Sequence, residues 1–188
     1  MPSKITFGVT SEQSTLDRSQ YNTIYRNFIL LKEYIFIFGI VCHEISHYIV
    51  CKLLGIEIYT WSLFNSHSTE SGVCFGYFTY ENPNQYYKEI LINTAPLYIN
   101  IPFGIVLLLV LDPTGTISIY NTVSLWLVVS IFAKSIPSTG DISNIHFYRK
   151  HDIGVSIILI TYPLDKLAQL QLYYGDVVLA VVLVYILL

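Results

Sequence analysis

"IFIFGIVCHEISHYIVCKLLGI", residues 35–56, decides how this chain is read. Almost every side chain in it is apolar, and it is long enough to cross a bilayer as a helix. Yet His43, Glu44, Ser46 and His47 sit in its middle. An ionisable side chain at mid-bilayer costs about 2.5–3.5 kcal/mol on insertion scales. Polar groups placed there need partners, and a divalent cation satisfies neutral imidazoles and nearby carboxylates together.

HEISH fits H-E-x-x-H. On a helix, residues four apart lie about 40° apart around the axis and one turn along it. His43 and His47 therefore face the same way and can reach one ion. Zinc suits imidazole nitrogen and accepts three protein ligands plus an open position. Water bound to it ionises near a pKa of about 7. Glu44, beside the first histidine, is placed to take that water's proton and pass it to a leaving amine. The pattern reads as equipment for hydrolysing an amide, with one zinc per chain. The competing reading is a helix whose polar face packs on other polar groups.

Composition agrees with the apolar wrapping. The chain has 188 residues, 53% hydrophobic and 12% charged, with a mean hydropathy of +0.54. Soluble domains carry roughly 25% charge. The apolar residues cluster into runs, so the expectation is a mainly α, polytopic membrane protein. A net charge of -3 and the lack of any Lys/Arg run exclude a nucleic-acid partner. Residues 1–30 form a polar segment; apolar sequence begins too late for a cleaved signal peptide, so an uncleaved first span is expected. Cys42, Cys51 and Cys74 form no metal-type pair and read as small apolar fillers.

Along residues 31–145 three spans are expected: Tyr34 to Ile56, Ile90 to Leu111 (interrupted by Pro96 and Pro102), and Ile117 to Ala133. Between the first two, Ile56–Phe64 and Val73–Tyr80 are β-branched and aromatic, which predicts a hairpin or small sheet. Pro83 restarts a helix, and "DPTGT" is a tight connection. Residues 146–188 carry two further apolar stretches, Ile153–Leu164 and Val177–Leu188, giving one or two C-terminal membrane-associated helices.

The candidates for a third metal ligand are His67, Glu89, Asp112, Asp141, His146 and Asp152. Three alternating spans return "SIPSTGD" to the side on which HEISH lies and send Asp112 to the other. That selects Asp141; a turn or helix-cap carboxylate is the competing reading for it. His146 and Asp152 read as surface groups beside Arg149 and Lys150, and His67 as part of a solvated turn.

HEISH within an apolar helix, followed by "CKLLGIEI" and strand-like sequence, resembles the site-2 protease family of intramembrane zinc metalloproteases over about residues 34–145. The resemblance implies a three-span core, His43, His47 and Asp141 as zinc ligands, Glu44 as catalytic base, and a site nearer the cytosolic face. The family's Gly-Pro-x-x-Asn element is similar to "APLYIN", with Ala95 for the glycine, Pro96 retained and Asn100 one residue later. "SIPSTGDISN" departs from the family's third-ligand motif, lacking its leading Asn and trailing Gly.

The expected activity is that of a zinc endopeptidase cutting a single-span membrane protein or peptide in or near its transmembrane segment. The substrate would enter extended, by strand addition to Ile56–Phe64 or Val73–Tyr80. Asn100, Asn93 and Pro96 are the expected substrate-binding residues, helix packing being the alternative for the asparagines. Two other classes compete: a divalent-metal transporter, which would need more spans and a second His-rich helix, and an inactive relative that binds membrane proteins without cutting them.

Overall fold

In a computed structural model of the chain, the H-E-x-x-H stretch forms helix α1, Ile37–Leu54. Described are residues 30–63, 67–69, 72–74, 77–111, 118–149, 162–163, 166 and 175–187. Most of the polar N-terminal segment and the Ile153–Leu164 stretch thus lie outside the described residues. Gly55 ends α1: at φ 67° it takes the left-handed conformation that side chains with a Cβ resist. Its N–H reaches the Lys52 carbonyl and that of Ile56 reaches the Cys51 carbonyl, a Schellman closure. Ile56 is turned inward by this closure and packs with Val50, Cys51, Phe78, Ile92 and Ala95.

The chain then forms strands β1 (Ile58–Ser62), β2 (His67–Thr69), β3 (Gly72–Cys74) and β4 (Tyr77–Tyr80). β1 pairs antiparallel with β4, with Trp61 opposite Phe78, and β2 pairs antiparallel with β3. The small sheet expected between the first two spans is present. Its second run is divided, however: Val73 belongs to β3, and β4 begins at Tyr77.

Helices α2 (Tyr86–Asn93) and α3 (Ala95–Leu111) follow, then α4 (Ile119–Ala133), α5 (Thr139–Arg149) and α6 (Gly175–Leu187). The expected second span is thus interrupted at Thr94, where Pro96 cannot continue the hydrogen-bond ladder. α4 starts at an N-cap, Ser118 Oγ accepting the Asn121 N–H at 3.1 Å. α1 and the joined α2–α3 stretch are long and apolar enough to cross a membrane, and α4 is a shorter apolar helix.

α1, α3 and α4 pack on one another, and α6 lies against α4. Phe36, Leu108, Val128, Phe132, Ala180 and Val184 make the apolar centre of that bundle. At the α1–α4 crossing the Gly39 N–H donates to Ser130 Oγ at 2.8 Å. A Cβ on Gly39 would collide with the Ser130 carbonyl oxygen, so the two backbones meet where no side chain fits. Gly39→Ala is therefore expected to destabilise the fold by about 1–3 kcal/mol or more, seen as a lower midpoint of thermal unfolding in detergent. An unchanged midpoint would mean that α1 and α4 do not approach this closely.

Candidate metal centre

Three ligand atoms meet between α1 and the first turn of α5. His43 Nε2 lies 3.1 Å from His47 Nε2 and 3.2 Å from Asp141 Oδ2, and His47 Nε2 lies 3.3 Å from Asp141 Oδ1. All three side chains are buried. The histidines share a face because they are four apart on one helix. Asp141 comes from the far end of the described bundle core, after α4 has returned the chain to them.

The opposite ring nitrogens define the chemistry. His43 Nδ1 is 2.9 Å from the Lys134 carbonyl, and His47 Nδ1 is 2.8 Å from the Ile92 carbonyl. A carbonyl only accepts, so each Nδ1 carries the proton, and in a neutral ring Nε2 then presents a lone pair. Two lone pairs and a carboxylate converge with no donor among them. Positive charge has to sit there, as extra protons or as a cation. Four tetrahedral bonds of about 2.0–2.1 Å put ligand atoms about 3.3–3.4 Å apart, close to the spacing found. The arrangement, with each imidazole oriented by a backbone acceptor, fits a metal ion.

Asp141 is held by more than the histidines. Its Oδ2 accepts the Ser138 N–H at 2.6 Å, and the Ser138 hydroxyl accepts the Asp141 N–H at 3.2 Å. This is a reciprocal capping box at the start of α5. The two readings of this carboxylate, ligand and cap, are therefore compatible. Burial would raise the Asp141 carboxyl, but the His47 and His43 rings outweigh burial and hold it well below the usual carboxylate range. Lys134 acts at both ends: its carbonyl receives His43, while its ammonium reaches Glu33 Oε2 at 2.7 Å.

Glu44 and Ser46 flank the ligand face, each about 80° around the helix from its centre but on opposite sides. Among the described residues nothing hydrogen-bonds the Glu44 carboxylate. On the other flank, Ser46 Oγ shares its proton between the Cys42 carbonyl and Asn100 Oδ1, at 2.8 and 2.7 Å. Asn100 Nδ2 is buried and has no hydrogen-bond partner among the described residues.

Asn93 is placed differently. Its Nδ2 donates to Glu89 Oε1 and to the Glu89 carbonyl, both at 2.9 Å, and to Tyr80 Oη at 3.1 Å, while its Oδ1 accepts from Asn144 at 3.2 Å. Tyr80 in turn donates to Glu89 Oε1 at 2.8 Å. The cluster ties α2 to β4 and to α5, the helix that carries Asp141. Burial and the neighbouring Glu89 push the Tyr80 phenol well up, so it remains a donor. Phe78 of β4 stacks on His47 with ring centroids 6.3 Å apart, which sets the sheet over the site.

Of the other expected ligands, Glu89 is in this separate cluster and His67 lies in β2. Asp112 and Asp152 lie outside the described residues, and only the backbone of His146, in α5, is described. Pro96 is fully buried. Sequence reasoning missed the bond from Ser46 to Asn100, Ser138, the two orienting carbonyls and the Tyr80–Glu89–Asn93–Asn144 cluster. Of these, Ser138 alone had a readable signal, the S-x-x-D spacing to Asp141.

Asp141→Asn would put an amide donor among converging acceptors. Metal retention is expected to fall by more than about tenfold, read as metal content after repurification. An unchanged content would remove Asp141 from the donor set. Compared with known proteins, the chain matches no family model, no curated protein and no solved structure.

Proposed function

We propose that this chain is an intramembrane zinc metalloprotease that hydrolyses a peptide bond in or near the transmembrane segment of a single-span substrate. The observation that carries the reading is the convergence of His43, His47 and Asp141 donor atoms beside a Glu44 carboxylate that no described residue hydrogen-bonds. The surroundings favour lipid. Leu53, Leu109, Val110, Ile119 and Tyr185 are among many large apolar side chains that face outward. A water-soluble monomer seldom leaves so many large apolar side chains bare. A bilayer takes up that surface, which supports a multi-pass arrangement of α1, α3 and α4 with α6 alongside.

Zinc, when bound, would supply a Lewis acid that polarises a water molecule and the scissile carbonyl. Glu44 takes the proton released as the water oxygen adds to the carbonyl carbon. It returns that proton to the amine nitrogen as the C–N bond breaks. The Lys134 and Ile92 carbonyls keep the two rings from turning during this exchange. Asn100, across the ligand face from Glu44, has an N–H to offer the substrate carbonyl oxygen as it gains charge. Asn93 has its amide engaged in the α2–β4–α5 cluster, which supports Asn100 as the substrate contact.

A transmembrane helix hides its amides, so the substrate must be locally unwound to be cut. Among the described residues β4 pairs with β1 along one edge only, and its Phe78 lies against His47. An extended segment added along β4 would run close to the donor cluster. The test is metal analysis of protein purified from membranes, together with cleavage of a single-span substrate in detergent. About one zinc per chain is expected, with cleavage lost to a chelator and restored by zinc. Metal-free, inactive protein, or zinc flux into liposomes without proteolysis, would overturn the proposal.

A further inference from the structure

Asp141 is carried to the histidines by α5, and α5 packs chiefly on α2. Ile142 and Ile145, both buried, lie against Tyr86 and Ile90 of α2 and Leu97 of α3. Apolar contact is non-directional, so it holds two helices together without fixing how far one slides along the other. A directional bond also joins them: Asn144 Nδ2 donates to Asn93 Oδ1 at 3.2 Å. Asn144 follows Asp141 by three residues, one turn along the same helix.

Asn93 can offer that partner only its oxygen. Its Nδ2 stands 2.9 Å from the Glu89 backbone carbonyl, which accepts and never donates. The buried amide is thereby held one way round, and Asn144 has to supply the N–H. The residue before Asn93 serves the other side of the site, since the Ile92 carbonyl accepts the His47 Nδ1 proton at 2.8 Å. Two consecutive residues at the end of α2 thus hold one ligand each: His47 directly, and Asp141 through its helix.

We propose that Asn93 is a positioning residue of the metal centre: its Oδ1 takes the Asn144 N–H, fixes α5 on the last turn of α2, and so sets Asp141 against the imidazole that the same turn orients. This rests on the metal reading above and gives Asn93 a role other than touching substrate.

Zinc titration and ¹⁵N-histidine NMR of the full chain in detergent, for wild type, Asn144→Leu and Asn144→Gln, test the assignment. Leucine keeps the size of asparagine and has no N–H; glutamine keeps the N–H. The zinc dissociation constant of Asn144→Leu is expected to rise about tenfold, the cost of losing an outer partner of a ligand. In the metal-free protein the Nε2 signals of His43 and His47, which face Asp141, should shift. Their Nδ1 protons should keep their hydrogen-bonded shifts, because the Lys134 and Ile92 carbonyls are untouched. A general loosening of the fold would move both sets together. Asn144→Gln should restore both readings. Wild-type affinity with unmoved Nε2 signals in Asn144→Leu, or joint loss of the Nδ1 and Nε2 signals, would overturn the inference. If wild type takes up no zinc, the proposed function fails, and the ring resonances alone decide this inference. Should Asn144→Leu not fold, Asn144→Ala removes the same donor and is read in the same way.

Discussion

Glu44→Gln is expected to keep a full complement of zinc and to lose cleavage, with the rate falling by about 10²–10⁴. Glutamine has the shape of glutamate but cannot take a proton from water. Glu44 is not among the three atoms that converge on the site, so its replacement leaves the donor set whole. It sits on the flank of the ligand face with its carboxylate uncommitted to any described residue. The variant therefore separates holding the metal from using it. Zinc content and the turnover of a single-span substrate, measured on the same preparation, check it. Cleavage at the wild-type rate would remove Glu44 as the base.

His47→Ala is expected to lose both. One of three donor atoms goes, and the ring that filled the space between Phe78 and the Ile92 carbonyl goes with it. The carbonyl then loses its side-chain donor and keeps the backbone N–H at the end of α2. Zinc content should drop from about one per chain to near none, and the unfolding midpoint should fall as well. His43→Ala should behave alike, removing a donor atom and the ring bonded to the Lys134 carbonyl. Undiminished zinc in either variant would mean that the metal binds elsewhere. The contrast with Glu44→Gln is diagnostic: a structural metal loosened by any nearby mutation would not divide the two properties this way.

Much of the site was legible because its spacing is local. His43 and His47 share a helix face by virtue of being four residues apart, whatever surrounds them. The choice of Asp141 over Asp112 followed from the alternation of apolar runs, and the structure brings Asp141 to the histidines. The break at Thr94 was implicit in Pro96. Less legible was the difference between Asn93 and Asn100. They are chemically identical and seven apart on one stretch, yet one amide is tied to Glu89, Tyr80 and Asn144 and the other keeps an N–H with no partner among the described residues.

By itself the sequence determined an apolar helix with two imidazoles and a carboxylate on adjoining faces, a glycine stop at Gly55, and a capped turn that presents Asp141. Those are short-range matters of residue type and helical period. Tertiary structure alone decided which tautomer the histidines adopt, because the acceptors that fix it are backbone carbonyls of Lys134 and Ile92, 91 and 45 residues away. Every residue has such a carbonyl, so no side-chain pattern marks these two; packing of the ends of α4 and α2 against α1 sets them opposite the rings.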